Sequence, residues 1–329
     1  MPGIQLSMAI SDYDHVRDLV NGRVRAEGID LTPMELPIEE IFYRMFSFAE
    51  WDVAEFSMAK YVSMIGAGTA PFRAIPIFPS RVFRQSAFYV ATGASVRSPE
   101  DLVGKRIGIP EWAQTAGIYA RAFLQHQCGM RLADIHWIQA GVNQAGRSEK
   151  ATLSLPDGVK IEQVRDRSLN ELLLTGDLDG IISAREPVAF LARDPRIARL
   201  WPDYRSIEER YYRDTGVFPI MHVVVIRNEM LSRHPWIAMN LFRAFDEAKT
   251  NSLRRLSSIV NSSVAVPWMH DTYHRAQQVL GDNFWPYGIE PNLHTLNAFL
   301  QYCGEQGLTQ RTVSVEELFP REVSKLFKV

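Results

Sequence analysis

The chain has 329 residues, 46% hydrophobic and 22% charged, which is enough apolar material for about two globular domains. A net charge of -2 and a pI near 6.5 leave no global basic field for nucleic acid or an anionic membrane, and no apolar run approaches the roughly 18 residues that span a bilayer. These bounds favour a small-molecule partner, and any anion site must be local.

The N-terminal segment reads directly as part of the fold. Residues 4–10, IQLSMAI, predict a strand, and no basic and apolar leader pattern with a small-residue cleavage site comes before it. We therefore expect a cytoplasmic protein. The two cysteines, Cys128 and Cys303, lie far apart in apolar helical surroundings, which indicates buried thiols rather than a disulfide or a cysteine metal site.

Strands and helices alternate along the first ninety residues at the spacing of βα units. The predicted strands are residues 4–10, 29–36, 52–57 and 73–78, and the predicted helices are residues 13–21, 38–48 and 60–65. Four such steps predict one doubly wound α/β lobe.

A second lobe follows a crossover near residue 91. Its predicted elements are a continuous strand at 86–94, a turn, short helix and strand within 98–111, a helix at 114–127, a polar hairpin around 155–158, a helix at 169–175 and a strand at 180–183. A strand at 217–227 returns the chain, and helices at 235–258, 268–280 and 293–305 complete it. We expect lobe I to comprise residues 1–90 and 217–329, lobe II residues 91–216, and the two crossover strands to form a hinge.

Ligands of open α/β sheets bind at the carboxyl ends of strands, which here face each other across the cleft. The candidate ligand-binding residues at these ends are Ser57, Ser80, Arg81, Arg84, Glu111, Trp112, Thr115 and Arg185. An arginine fork matches a carboxylate bidentately and stays charged, so Arg81 and Arg84 suggest a carboxylate site, although a solvated pair is the plain alternative. Thr115 begins a helix, where free N–H groups favour an anion.

Histidines supply the candidate proton-transfer groups. His222 interrupts an apolar strand. It is either a core histidine that donates to a neighbouring carbonyl or a histidine that contacts the ligand. His15 follows the first predicted strand. His270 and His274 have the i, i+4 spacing of a metal edge, but HDTYH lacks the HExxH pattern and no third ligand is evident. Nucleotide, flavin, serine-hydrolase and cysteine-metal motifs do not occur.

Four segments carry a family resemblance: EFSMAKY (55–61), FPSRVFR (78–84), DLVGKRIGIPEWAQTAG (101–117) and TGVFPIMHVVVIR (215–227). With them the chain resembles the 4,5-dihydroxyphthalate decarboxylase family, which is built on the type II periplasmic-binding-protein fold. FPSRVFR and FPIMH are its most specific parts, because general solute receptors are not expected to share them. The chain departs from the family pattern at Gln85, where histidine is usual, and at Trp112, where tyrosine is common. Both departures fall near the expected pocket and bear on the substrate rather than the fold.

The resemblance implies a non-oxidative decarboxylase of a hydroxylated aromatic dicarboxylate such as 4,5-dihydroxyphthalate, acting in phthalate degradation. Losing CO2 from the ring requires protonation of the carbon that bears the carboxylate, with charge delocalised into a para hydroxyl, so no metal or cofactor is strictly needed. We expect Arg81 and Arg185 to clamp the anion and His222 and His15 to transfer protons, with Glu111 as the further acid-base candidate. Ser57, Ser80 and Thr115 would orient the substrate.

Two other functions share the fold. A non-enzymatic solute-binding protein for a small carboxylate needs the clamp but no proton donor. A thiamine-pyrimidine synthase is disfavoured because the chain lacks a clustered-cysteine segment. The sequence leaves the ring substituents, a homo-oligomeric state and the identity of the acid open.

Overall fold

The computed structural model describes residues 3–324, which form eleven strands and thirteen α-helices. The strands are β1 (Ile4–Ile10), β2 (Ile29–Glu35), β3 (Val53–Ser57), β4 (Phe72–Ile75), β5 (Phe88–Ala91), β6 (Arg106–Ile109), β7 (His136–Gln139), β8 (Ile161–Gln163), β9 (Gly180–Ile182), β10 (Ile197–Arg199) and β11 (His222–Arg227). The helices are α1 (Arg17–Val20), α2 (Ile38–Phe48), α3 (Met58–Ala67), α4 (Thr115–His126), α5 (Leu169–Leu174), α6 (Val188–Leu191), α7 (Tyr204–Thr215), α8 (Asn228–Arg233), α9 (Ile237–Leu256), α10 (Met269–Leu280), α11 (Leu293–Glu305), α12 (Val315–Leu318) and α13 (Arg321–Ser324). Within residues 3–324, no helix is both long and apolar enough to cross a membrane.

The first sheet has the strand order β2-β1-β3-β11-β4. β1 is parallel to β2 and β3, whereas β11 enters antiparallel between β3 and β4. Because β11 is an internal strand buried on both faces, its centre is a run of valines without alternation. The first residue of β11 therefore lies at the sheet edge where β1 and β3 end.

The second sheet has the order β10-β5-β9-β6-β7-β8 and contains parallel pairs on either side of β6. The strands change sheet between β4 and β5 and again between β10 and β11, so two sheets share one chain that crosses twice. The two crossings touch through an isolated bridge between Arg81 and Ile220. The fold is thus the expected pair of α/β lobes; the boundaries near residues 91 and 217 stay predictions.

Helix α4 packs into both lobes. Ala116, Ile118 and Tyr119 belong to the main core built on the first sheet, while Ala120 and Leu124 belong to a core under the second sheet. The helix therefore lies at the junction of the lobes, and its N-terminus opens into the space between them.

Two predicted strands near the first crossing are shorter than expected. The strand predicted at 73–78 ends at Ile75, because Pro76 and Pro79 have no N–H to give to a ladder. The strand predicted at 86–94 begins only at Phe88, after a 3₁₀ turn at Gln85–Ala87, and ends at Ala91. The FPSRVFR segment is consequently an irregular crossing rather than the end of a strand.

The hairpin predicted around residues 155–158 is wrong. Val159 N does close a turn on Pro156 O at 3.0 Å, but the following strand, β8, pairs in parallel with β7. The preceding segment cannot form the second arm of a hairpin because Ser154 instead pairs its backbone with Gly307, with N and O 2.8 Å apart. Leu153 and Leu155 then pack against the cores.

Candidate functional site

A cleft of about 550 Å³ lies between the lobes, within the size range of small-molecule sites. Its polar lining comprises Glu39, Ser57, Lys60, Arg84, Glu111, Gln114, Thr115, Arg147, Lys150, Arg185 and His222. Strand ends and helix starts of both lobes supply most of these side chains. The cleft therefore lies where ligands of open α/β sheets bind.

A hydrogen-bonded pair, His222 and Glu55, stands in the cleft wall. His222 starts β11 opposite Ser57 of β3, and Glu55 lies two residues earlier on the same face of β3. His222 Nδ1 lies 2.7 Å from Glu55 Oε1. The carboxylate thus accepts a hydrogen bond from Nδ1–H and fixes the orientation of the ring. Nε2 has no protein partner among residues 3–324. A ring held in this way can exchange a proton with a ligand through Nε2.

Glu55 is fully buried and has further donors. Tyr13 donates its hydroxyl to Glu55 Oε1 at 2.6 Å, and the Ser11 N–H donates to Oε2 at 3.1 Å. Burial, and next the negative charge of Glu55, raise the pKa of Tyr13, which therefore stays a neutral donor. Phe42 packs edge-on against the His222 ring with centroids 4.9 Å apart. The imidazole is therefore immobilised on two sides.

Glu111 is the centre of a cluster of charged groups. Lys60 Nζ lies 2.7 Å from Glu111 Oε2, and Arg147 Nε donates to Oε1 at 2.8 Å. Burial opposes ionisation of Glu111, but the positive charges of Lys60 and Arg147 outweigh it and lower its pKa. Glu111 is therefore ionised at neutral pH and binds two cations, one from each lobe.

Arg84 forms no ion pair with a carboxylate in the described part of the chain, which distinguishes it from Lys60, Arg147 and Arg185. Its Nε donates to the sulfur of Met221 at 3.1 Å, and its two terminal nitrogens have no hydrogen-bond partner in the described part of the chain. Burial lowers its pKa to about 10, so it remains charged at neutral pH. A half-buried, unpaired guanidinium is a suitable receptor for a ligand carboxylate.

Arg185 lies at the rim of the cleft, on lobe II. It forms an ion pair with Glu39 of lobe I, and both side chains are largely solvent-exposed. Partial burial opposes ionisation of Glu39, but the hydrogen bond from Arg185 outweighs it and lowers the pKa of the carboxyl. This exposed pair spans the mouth of the cleft.

Ser57 and Thr115 join the lobes deeper inside. Their hydroxyl oxygens are 3.1 Å apart, and Thr115 Oγ1 also accepts the N–H of Ala59 at 3.1 Å. Both hydroxyls are therefore occupied by protein groups. The N–H groups of Thr115 and Ala116 have no partner among residues 3–324, so the N-terminus of α4 presents free donors to the cleft.

Arg81 and Trp112 do not line the cleft. The Arg81 guanidinium donates to the carbonyls of Phe218 and Pro286, each at 3.2 Å, and to the Asn292 side chain. Trp112 is buried, and its indole N–H donates to the carbonyl of Gln306 at 2.8 Å. Both residues therefore hold the crossing and the lobe junction together, and neither is placed to meet a cleft ligand.

His15 and Ser80 also lie outside the cleft lining. His15 packs between the rings of Tyr13 and Trp285, and burial lowers its pKa to about 4. Ser80 is half-buried, and its backbone carbonyl accepts the N–H of Met221 at 2.9 Å. The Nε2 atoms of His270 and His274 are 3.0 Å apart, but residues 3–324 contain no group of three or more metal-ligating side chains.

Sequence reasoning missed Glu55 and Arg147. Glu55 is the one ionisable residue of VAEFS, an otherwise apolar strand, and its spacing of two from Ser57 places both on one sheet face. An ionisable residue at this position of an apolar strand was the sequence signal that could have identified Glu55. Arg147 lies in an irregular segment after β7, where nothing in the sequence indicates that the chain folds back to Glu111.

Solved structures share the fold at low identity. The periplasmic aliphatic sulphonate binding protein SsuA from Escherichia coli aligns with a TM-score of 0.53 and 11% identity over 98% of this chain and 99% of its own. The desulfurization enzyme DSZB aligns with a TM-score of 0.54 and 14% identity over 97% of each chain. The fold and the site together define a two-lobe protein of the type II periplasmic-binding-protein fold, with, in the cleft between the lobes, a hydrogen-bonded Glu55–His222 pair and an arginine without an ion-pair partner among residues 3–324.

Two curated relatives define the family. The 4,5-dihydroxyphthalate decarboxylase of Comamonas testosteroni is 37% identical over 330 aligned positions, covering 100% of both chains. That of Pseudomonas putida is 37% identical over 214 residues, which is 65% of this chain and 83% of the relative. The chain belongs to the 4,5-dihydroxyphthalate decarboxylase family. No family model matches the sequence.

Proposed function

We propose that this protein is a non-oxidative decarboxylase of a hydroxylated aromatic dicarboxylate, with 4,5-dihydroxyphthalate as the first substrate to test. The observation that carries the proposal is the Glu55–His222 pair in the wall of a cleft that also holds the unpaired Arg84. A solute receptor would need the arginine but has no use for a buried carboxylate that orients a histidine. Membership of the decarboxylase family supports the same function.

Proton transfer is assigned to His222. Protonated at Nε2, it gives that proton to the ring carbon that bears the leaving carboxylate, while electrons from the para oxygen support the new C–H bond. The C–CO2 bond then breaks, its electron pair returns to the ring, and neutral CO2 leaves. Glu55 accepts a hydrogen bond from Nδ1–H throughout, the proton stays on the ring, and the carboxylate stabilises the imidazolium.

Anion binding is assigned to Arg84, which holds the carboxylate that stays, with the free N–H groups of α4 as further donors. Arg185 can bind a ligand carboxylate only if it first releases Glu39, its present ion-pair partner. Glu111 is assigned an organising role, because its lowered pKa and its two cations make it a poor proton donor at neutral pH. Arg81, Trp112, His15 and Ser80 are assigned to the scaffold.

The test replaces His222 with asparagine, which keeps one donor but cannot titrate. We expect His222→Asn to bind 4,5-dihydroxyphthalate with an affinity close to that of the native protein and to release CO2 about 10²- to 10⁴-fold more slowly. The matched control is His136→Asn at an exposed position of β7, which should keep the native rate. A His222→Asn rate within a few-fold of native would remove His222 from the mechanism.

A cytoplasmic location is part of the same proposal. Both cysteines, Cys128 and Cys303, are free thiols, which is usual in reducing compartments. Fractionation of the producing cells tests the location, and recovery from the periplasm would contradict it.

A further inference from the structure

The amide of Gln114 is an unsatisfied polar group in the cleft. Gln114 lies immediately before α4 and lines the cleft, but its side chain makes no capping hydrogen bond. Gln114 is half-buried: its Oε1 is a buried atom without a partner, whereas its Nε2 is not fully buried and makes no hydrogen bond to residues 3–324. A buried acceptor without a donor costs stability, so such an atom indicates a partner that arrives with the ligand.

The other polar groups of the cleft are mostly occupied. Glu111 binds Lys60 and Arg147, and the hydroxyl of Thr115 binds Ser57. Arg185 is paired with Glu39 at the rim. Besides Lys150 and the free N–H groups at the start of α4, the cleft-lining groups without a partner among residues 3–324 are the Arg84 guanidinium, Nε2 of His222 and the Gln114 amide. The Arg84 guanidinium suits a carboxylate, and Nε2 of His222 suits the atom that receives its proton. The Gln114 amide is therefore available for a different part of the ligand.

We propose that Gln114 determines specificity by recognising the ring hydroxyls of the substrate. This inference rests on the proposed function and names the group that selects hydroxylated rings. A carboxylate offers only acceptors, and so cannot satisfy Oε1. Two adjacent phenolic hydroxyls that share one internal hydrogen bond leave one donor and one acceptor free, which match Oε1 and Nε2 of a primary amide.

The consequence is rejection of rings without hydroxyls. An unsubstituted phthalate can still reach Arg84 through its carboxylates, but it leaves the buried Oε1 of Gln114 without a donor. Sites built to hydrogen-bond a substrate hydroxyl discriminate strongly against the analogue that lacks it. The polar group of the site is then shielded from water and has no hydrogen-bond partner on the ligand. Selection against phthalate should therefore depend on the amide rather than on the anion clamp.

Calorimetric binding of 4,5-dihydroxyphthalate and of phthalate tests the inference in proteins that also carry His222→Asn, so that turnover does not distort the heats. With Gln114 present, we expect the hydroxylated ligand to bind about 100-fold more tightly than phthalate. Gln114→Met should reduce this preference about 10-fold or more by weakening the hydroxylated ligand alone. Gln127→Met, at the exposed far end of α4, is the matched control and should keep the native preference.

A general defect in the cleft would weaken both ligands equally and overturn the inference, as would an unchanged preference in Gln114→Met. Gln114→Glu is a second test, because it keeps an acceptor for a hydroxyl but adds a negative charge. Both ligands should bind more weakly, and the preference for the hydroxylated ligand should survive. Loss of the preference in Gln114→Glu would likewise contradict the inference. Because binding is measured without turnover, a native protein that binds with this selectivity but releases no CO2 would refute the proposed reaction and leave the role of Gln114 standing.

Discussion

Arg81 and Arg84 are three residues apart, but Arg81 is buried and Arg84 is half-buried, and their hydrogen-bond partners differ. Arg81 donates to protein oxygens only, whereas Arg84 lines the cleft with its terminal nitrogens free. We expect Arg84→Lys to weaken phthalate binding at least about 10-fold at native stability, because lysine lacks the bidentate fork. Arg81→Met should leave binding near native and cost about 3 kcal/mol of stability, since several buried acceptors lose their donor. Calorimetry and urea unfolding measure the two effects, and the reverse pattern would return the clamp to Arg81.

His15 makes stability depend on pH. Its pKa is about 4 in the folded protein because burial disfavours the charged ring, and near 6.5 in the unfolded chain. Between these values the unfolded chain binds more protons, so stability is fully present above pH 6.5 and falls by about 3 kcal/mol as pH drops to 4. His15→Phe, which keeps a ring between Tyr13 and Trp285, should lose this part of the acid sensitivity. Urea unfolding at pH 7 and pH 4.5 measures it, and equal pH dependence in both proteins would contradict the assignment.

At the scale of elements, the end of α11 is fixed by Gly307. Gly307 has φ +72°, and Leu308 N closes the helix on Cys303 O at 2.9 Å. A Cβ on Gly307 would lie 1.8 Å from the carbonyl oxygen of Ser154. We expect Gly307→Ala to cost at least about 2 kcal/mol, from the left-handed backbone and the displaced Ser154 segment.

Gly304→Ala on the same helix is the matched control. No atom lies within 4 Å of its added methyl group, so alanine should be neutral or stabilise by up to about 1 kcal/mol. Thermal unfolding compares the two variants, and equal melting temperatures would show that the approach of Gly307 to Ser154 is not tight.

Element order was predictable where side-chain periodicity is strong, as in α2, α9 and α11. It failed where local chemistry overrides the pattern: Pro76 and Pro79 end β4 early, although residues 74–79 are all apolar. Part of the cleft lining was predictable, because Thr115 begins a helix, Arg84 belongs to the FPSRVFR segment and His222 is the one titratable residue of an apolar stretch. Trp112 was not, since its partner Gln306 lies 194 residues away and nothing local distinguishes a core indole from a ligand-facing one.

At the scale of the whole molecule, α4 and α11 tie the lobes together. Gln306 is fully buried, accepts from Arg121 Nε and Trp112 Nε1, each at 2.8 Å, and donates to the Ile118 carbonyl at 3.0 Å. Opening the lobes widely would break these bonds and expose the apolar face of α4. We therefore expect the radius of gyration in solution scattering to stay the same, within error, with and without saturating phthalate. A clear decrease on ligand binding would show that the tie yields and that the lobes move as a clamshell.

The position of β11 has a consequence for how the chain reaches its native state. Tyr13, Glu55 and His222 form their hydrogen-bonded network only after β11 inserts between β3 and β4. During synthesis, β3 and β4 of the first sheet are made long before β11, so their facing edges stay unpaired until β11 has been synthesised. The second sheet, β5–β10, has all its strands before that point. Long-range pairings of this kind form slowly, and open edges attract other chains. Catalytic competence should therefore be the last property to appear, and any fragment that stops before residue 222 should be both inert and prone to aggregate.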